Sequence, residues 1–320
     1  MGFITRVGSY WGFIPQTSGR VFWVAPAASY TVEGRSYGAS DQNDGLSPER
    51  ALLTLDTAIG LTTASVGDVI VLLPGTHTMA ATATIDVAGL TITGIPQGPR
   101  QSRKAMAAGG ARMRSIVTAS ATITALTVTA ADTEIAYLHF TGVASTSSIS
   151  ISNAADRAYV HDCTFNMTTA GATDTFGISF PLGTGTTTVN DQSHVQNCFF
   201  YIEGNQGPAI RAAGTVLGLT IDSSTFSLAG DTAWDDAIEI ILAGSVGNFV
   251  RDCDFVQAVS GTVITDCIDV TGSTTDGATA VYRCYAPAGS DLIEATATAD
   301  VYAAESYLAT TTGGALTGST

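Results

Sequence analysis

Three acidic phrases of one form follow one another in the second half of this 320-residue chain. Each places two carboxylates around an apolar pair: Asp236-Ala-Ile-Glu239, Asp266-Cys-Ile-Asp269 and Asp291-Leu-Ile-Glu294. Asp235 adds a seventh carboxylate beside the first phrase. Paired carboxylates can act as general acid and general base on a glycosidic bond, and oxygen ligands of this kind suit Ca²⁺. Both chemistries require that the phrases lie side by side.

Stacking the phrases at the spacing of hydrogen-bonded strands, roughly 4.8 Å, would align the carboxylates in a stripe. Carboxylates this close raise one another's pKa, and a bound cation would relieve the repulsion. The candidate catalytic residues are therefore Asp235, Asp236 and Asp266, and the candidate Ca²⁺ ligands are Asp236, Asp266 and Asp291. The alternative is a solvated acidic edge with no catalytic residue, no cofactor and no metal.

A recurring six-residue phrase supplies the strands for such stacking. It reads aliphatic, two variable residues, small or Cys, one variable residue, aromatic, and it returns about every 20–35 residues. The copies are Ile135–Phe140, Val160–Phe165, Val195–Phe200, Ile221–Phe226 and Val250–Phe255, with weaker copies at Val281–Ala286 and Val301–Ser306. An Ile-x-Ile alternation such as Ile238/Ile240 runs in step with it.

Two strand-like phrases in each period indicate a solenoid whose repeat is one turn of a β-coil. Alternation at period two puts the aliphatic, Cys and Phe positions on one inward face. A β-sandwich would also alternate, but it would not repeat one phrase so often. We therefore predict an all-β fold, a single-stranded right-handed parallel β-helix with buried free thiols at Cys163, Cys198, Cys253 and Cys284.

Charge excludes several partners. The net charge is -15, and residues 116–320 hold four basic and twenty-one acidic residues, against nine and seven in residues 1–115. So acidic a body is a poor binder of nucleic acid or an anionic membrane. No apolar run approaches a membrane span, and the first residues lack the apolar segment of a signal peptide.

The ends of the chain differ from the repeat. Residues 1–35 are predicted to form a non-repeat N-terminal docking arm, and residues 309–320 a Thr/Gly-rich tail. Residues 97–115 read as a loop insertion that carries a basic cluster. The proposed docking residues are aromatic or basic, as interface cores favour aromatic side chains: Phe3, Tyr10, Trp11, Phe13, Phe22, Trp23, Arg103 and Lys104.

A capping segment precedes the coils, which span residues 36–308. Ser47, Pro48 and Glu49 have the chemistry of a helix start, and a capping helix is predicted at about residues 48–59. The run NDGLSPERALLTLDTAI followed by GDVIVLLPGTHTM resembles the N-terminal cap of the pectate-lyase-like right-handed β-helix superfamily. That superfamily includes pectin-degrading enzymes, bacteriophage tailspikes and β-helix proteins that decorate phage particles.

The run Trp234-Asp235-Asp236-Ala-Ile-Glu239 also resembles the paired-aspartate motif of polygalacturonase-type glycoside hydrolases. That family's pattern would continue with a Gly-His-Gly element and an Arg-x-Lys element. This chain has no His after His194 and no Lys after Lys104. The departure puts the hydrolase interpretation in doubt.

The resemblance and the aromatic arm together favour a structural protein of a bacteriophage particle. It would be a capsid decoration protein or a head or tail spike, attached by its arm to a capsid or tail protein and located in the virion. The resemblance implies a homotrimer. The alternative is a carbohydrate-active enzyme of the same fold, a glycoside hydrolase, polysaccharide lyase or phage depolymerase acting on a host surface glycan.

Overall fold

A computed structural model gives the architecture of the chain as three long parallel sheets. It describes residues 17–32, 34–95, 114–119, 123–142, 147–167, 176–181, 190–202, 207–228, 234–241, 245–257, 264–270, 279–295 and 301–308. The chain runs repeatedly through the three sheets, named A, B and C here, in that order. Each passage through the three sheets makes one coil.

Most of the strands are short. Sheet A consists of Val21–Val24, Val69–Leu72, Thr91–Thr93, Glu134–Ala136, Tyr159–His161, His194–Gln196, Thr220–Asp222, Asn248–Arg251, Thr279–Tyr282 and Val301–Ala304. Sheet B consists of Gly75–Met79, Ser115–Ala119, Leu138–Gly142, Thr164–Met167, Phe199–Ile202, Thr225–Leu228, Asp254–Gln257, Tyr285–Ala286 and Tyr307–Leu308. Sheet C consists of Ala83–Ile85, Leu126–Val128, Ser147–Ile151, Phe176–Phe180, Ile210–Ala212, Trp234–Ile240, Ile264–Asp269 and Asp291–Glu294.

Successive coils stack in register. Val160 pairs with Val195, which pairs with Ile221, which pairs with Val250. A parallel pair Asn190–Asp191 and Val216–Leu217 extends two of the coils. The fold is a right-handed parallel β-helix, as the repeat predicts.

The core is built from columns of like residues. The rings of Phe140, Phe165, Phe200, Phe226 and Phe255 stack with centroids 4.7–5.0 Å apart, one ring per coil. Beside them the predicted column of buried free thiols is confirmed, and the fifth cysteine, Cys267, is also buried and free. Burial raises the pKa of the Cys198 thiol to about 12, so this thiol stays protonated and behaves as a small apolar group.

The turn from sheet A to sheet B has one left-handed residue in each of the seven coils that follow Thr91–Thr93. Its φ is between 49° and 56° at Tyr137, Asp162, Asn197, Ser223, Asp252, Arg283 and Glu305. The amide of this residue donates to a carbonyl of the next coil, as Asp252 N does to Tyr282 O at 3.0 Å. Non-glycine residues are strained in this region, so the stacked hydrogen bonds hold the turn in place.

The predicted boundary at residue 35, between the N-terminal arm and the coils, lies too far along the chain. Strand Val21–Val24 is the first strand of sheet A and pairs with Val69–Leu72. Phe22 lies inside the coil, and Trp23 is covered by the antiparallel hairpin of Ser29–Val32 and Arg35–Gly38. Both rings are buried, so assigning Phe22 and Trp23 to a docking surface is wrong. The proposed docking residues before residue 17, together with Arg103 and Lys104, lie outside the described residues.

The predicted capping helix is two separate elements. Pro48–Arg50 is a single 3-10 turn, and the α-helix runs from Leu55 to Leu61 behind an N-cap at Thr54. Between them Leu52 joins the edge of sheet A: its amide donates to Trp23 O at 2.8 Å. That pairing takes the backbone out of the helix. The helix still buries Leu55, Ala58 and Ile59 against the first coil.

No helix among the described residues is long and apolar enough to cross a bilayer. The α-helix has seven residues, far short of the roughly 20 that a membrane span needs.

An ion triad lies on the outer face of sheet A. His161 Nε2 is 2.8 Å from Glu134 Oε1, and its Nδ1 is 2.8 Å from Asp162 Oδ2. Burial opposes the charge, but bonds to both carboxylates raise the pKa of His161 to about 9. The imidazolium in turn holds the pKa of Glu134 below its usual value. The triad therefore links two coils while His161 is protonated.

His161→Gln is expected to destabilise the protein by about 1–3 kcal/mol at pH 6, because it leaves two carboxylates without their cation. The folded pKa of about 9 exceeds the ordinary value of 6.5. The stabilisation is therefore complete below pH 6.5 and is lost as pH rises through 9. Denaturant unfolding at pH 6 and pH 10 measures it. His194→Gln is the control, since burial lowers the pKa of His194; equal losses for His161→Gln at both pH values would contradict the prediction.

Candidate functional site

The acidic phrases lie on adjacent strands of sheet C. Asp236 pairs with Asp266, and Asp266 pairs with Asp291. In the neighbouring column Glu239 pairs with Asp269, and Asp269 pairs with Glu294. The predicted stripe of carboxylates is therefore present, in two columns across three coils.

The outward position of the stripe depends on a change in alternation. In strand Trp234–Ile240 two consecutive residues, Ala237 and Ile238, are buried. Asp236 before them and Glu239 after them thus both lie at least partly outside the core. Cys267 and Ile268 repeat the change one coil later, although Asp269 after them is itself buried, at 8% exposed. This explains why carboxylates three residues apart share a face that strict alternation would have divided.

Trp234 is not a sugar platform beside these acids. Its side chain is 0% exposed, and its Nε1 donates to Gly207 O at 3.2 Å. Asp235 next to it is exposed. The resemblance of this run to the paired-aspartate motif thus leaves Asp236 as the half-buried carboxylate of the pair.

Three carboxylates converge. One oxygen each of Asp236, Asp266 and Glu294 lies within 4.8 Å of the other two. Sequence reasoning chose Asp291 as the third member, since it shares the column of Asp266. The longer side chain of Glu294 reaches across from the next column, and the exposed Asp291 is not in the group. The three carboxylates would supply only part of the six to eight oxygens that Ca²⁺ takes.

Proton affinity at the site is high. Burial, followed by the charges of Asp269, Asp235, Glu239 and Asp266, raises the pKa of Asp236 to about 7. Burial, followed by Glu294 and Asp291, raises the pKa of Asp266 to about 6. Both carboxyls therefore keep a proton up to a higher pH than an ordinary aspartate does. The site can therefore present an acid and a carboxylate side by side.

A cation borders the stripe one coil earlier. Arg211, which pairs with Glu239 in register, approaches Glu239 Oε2 to 2.9 Å with its Nε. Its guanidinium also lies over the Phe176 ring, 5.0 Å from the centroid. Burial raises the pKa of Glu239, and Arg211 opposes that rise. Sequence reasoning missed Arg211, although it stands at the offset of Glu239 in the preceding Ile-x-Ala phrase.

Solved structures similar to this chain decide its fold class. Pectin methylesterase PemA from Erwinia chrysanthemi matches with a TM-score of 0.51 and 12% identity, covering 90% of this chain and 89% of its own. An alginate lyase from Paenibacillus sp. matches with a TM-score of 0.51 and 15% identity, covering 80% and 92%. The chain has the pectate-lyase-like fold. Identities this low show the fold alone.

Sequence comparisons add no family. No protein-family model matches the chain, and no curated protein matches it. The structural neighbours are pectate-lyase-like parallel β-helix proteins, as the cap segment implied. The role on a phage particle, the capsid or tail partner, the homotrimer and the virion location stay predictions.

Proposed function

We propose that this protein is a carbohydrate-active enzyme that hydrolyses a polysaccharide on the outer face of sheet C. The observation that carries the proposal is the group of Asp236, Asp266 and Glu294, whose oxygens lie within 4.8 Å of one another and in which the raised pKa values of Asp236 and Asp266 allow an acid and a carboxylate to coexist near neutral pH. Glycoside hydrolases need this combination around the scissile bond. The similarity in fold to a pectin methylesterase and an alginate lyase is consistent with it.

Each carboxyl has a role in the proposed reaction. Asp236 donates its proton to the glycosidic oxygen as the bond to the anomeric carbon breaks, and a carboxylate oxygen of Asp266 bonds to that carbon. Water then displaces Asp266, and Asp236, now ionised, accepts the proton of the water. The close approach of the oxygens, within 4.8 Å, favours this covalent route, because inverting enzymes separate their carboxyl groups by roughly 6.5–9.5 Å.

The charge of the site favours a neutral substrate. The carboxylates of the stripe would repel the uronate groups of an anionic polysaccharide, and Arg211, the cation at its border, is paired with Glu239. A neutral glycan has no such penalty. The preferred substrate class is therefore a neutral polysaccharide.

Cleavage of soluble neutral polysaccharides at pH 6.5, followed as new reducing ends, tests the proposal. We expect the triple variant Asp235→Asn/Asp236→Asn/Asp266→Asn to fold and to lose at least about a thousandfold in rate, since it lacks both the acid and the nucleophile. Asp86→Asn, an exposed acid after the first strand of sheet C, should keep full activity. The proposal fails if the wild type cleaves no neutral polysaccharide, or if the triple variant remains active.

A further inference from the structure

A column of outward residues on sheet A ends in two exposed aromatic side chains with a small one between them. In register from coil to coil it reads Tyr159, His194, Thr220, Phe249, Ala280, Tyr302. Phe249 is 49% exposed and Tyr302 is 66% exposed. Tyr159 and His194 lie on consecutive coils and stack with centroids 5.2 Å apart. Phe249 and Tyr302 instead lie two coils apart, with Ala280 between them.

The small residues leave the rings open. Inside the coil, phenylalanines on successive coils cover one another at 4.7–5.0 Å. Phe249 and Tyr302 are instead separated by two coils, roughly 9.6 Å. Each ring therefore has room on the side facing Ala280 for another flat, partly apolar group.

Polar groups line the same face in the neighbouring column. Arg251 forms an ion pair with Asp222 at 3.1 Å. Arg283, in the turn after strand Thr279–Tyr282, forms an ion pair with Asp252 at 2.7 Å. The Arg283 guanidinium also lies over the Tyr282 ring. These cations and anions neutralise each other in pairs. Glu305 accepts a hydrogen bond from Tyr282 and adds one carboxylate beyond these pairs. The face thus has hydrogen-bonding groups beside its aromatic residues and less negative charge than the stripe on sheet C.

We propose that this aromatic column, Phe249 and Tyr302 above all, binds a neutral, unbranched polysaccharide that runs along the axis of the β-helix. Sugar rings have apolar C–H faces that pack on aromatic rings, and hydroxyl rims that bond to polar neighbours. Two coils span about the length of two sugar units, so the two aromatic rings would contact alternate sugars of one chain. The paired charges of the face match a chain that has none.

The other occupants fit less well. A protein partner, including a second copy of this chain, requires a contiguous apolar core at the interface, and here the two exposed rings stand apart. An anionic polysaccharide would find its cations already paired. The column lies on a different sheet from the carboxylates, so this binding does not rest on the proposed hydrolysis.

Native affinity electrophoresis tests the proposal with gels containing hydroxyethylcellulose, xyloglucan, galactomannan or polygalacturonate. We expect at least one neutral polysaccharide to retard the protein, and Phe249→Ala/Tyr302→Ala to weaken that binding roughly tenfold to a hundredfold. Tyr285→Ala is the matched control, because Tyr285 is an exposed aromatic on sheet B. Asp236→Asn should bind like the wild type even if it cleaves nothing, which separates this proposal from the proposed hydrolysis.

Four outcomes would overturn the proposal. The first is no retardation by any of the neutral polysaccharides, and the second is equal binding by the double variant. The third is a dimer that becomes a monomer in the double variant, measured by sedimentation, which would make the column an interface between copies. Retardation by polygalacturonate alone would also contradict it, because the face was inferred to bind an uncharged chain.

Discussion

Replacing Phe226 with alanine is expected to lower the free energy of unfolding by about 3–5 kcal/mol. The ring is 0% exposed and lies between Phe200 and Phe255, with centroids 4.9 Å and 5.0 Å away. A close-packed column cannot collapse to fill the gap without moving whole coils. The loss should therefore lie in the upper part of the range for buried residues.

Urea unfolding, with the midpoint and slope measured together, gives the size of this effect. Phe249→Ala is the matched control, since Phe249 is on a nearby strand but half exposed. We expect it to cost less than about 1 kcal/mol. Similar losses for the two variants would mean that the inward and outward positions of the repeat have been assigned wrongly.

Asp236→Asn is expected to stabilise the protein at pH 8 and to change little at pH 4. Burial and neighbouring charges raise the pKa of Asp236 from 3.8 to about 7. Between these values the folded protein holds a proton that the unfolded chain has lost, so the wild type loses stability as pH rises toward 7. Asparagine cannot ionise and avoids this loss. After allowance for screening at a half-exposed site, the gain is about 1–2 kcal/mol.

Thermal unfolding of the wild type and the variant from pH 4 to pH 8 measures the difference in stability. Other groups titrate in both proteins, so their effects cancel in that difference. Asp86→Asn, which changes an exposed carboxylate, should show no gain that grows with pH. An Asp236→Asn variant no more stable than the wild type at pH 8 would show that Asp236 ionises as freely as a surface aspartate.

The repeating part of the fold could be predicted from the sequence because each coil carries the same pattern of apolar residues. Positions such as Val160, Cys163 and Phe165 carry the alternation, and all three are buried. The first coil carries no such phrase. Val21–Val24 looked like part of an arm because its partner strand, Val69–Leu72, lies 48 residues further along. Leu52 likewise left a helical pattern for a strand pairing that no local signal announces.

The acidic stripe was predicted from its phrases, but its closest group was not. The stacking of the phrases predicts Asp291 as the third member, because it lies in the same column as Asp266. In the structure the longer side chain of Glu294 reaches Asp236 and Asp266 instead. Phe249 was missed since it precedes the aliphatic residue that opens its phrase, a position the repeat leaves variable. Tyr302 was missed because the last copy of the phrase was placed two residues too early: Val281 pairs with Ala303 and not with Val301. Comparing that position from coil to coil would have revealed Phe249.

The stacking of each coil on its sequence neighbours also bears on how the chain folds. Partners in the parallel sheets are 22 to 48 residues apart, as between Thr279 and Val301 or Val21 and Val69. Relative contact order is therefore low for an all-β chain of 320 residues, and loop closure never has to join distant ends. The β-helix can nucleate at one coil and grow by adding the next, so a chain still emerging from the ribosome could already fold its first coils.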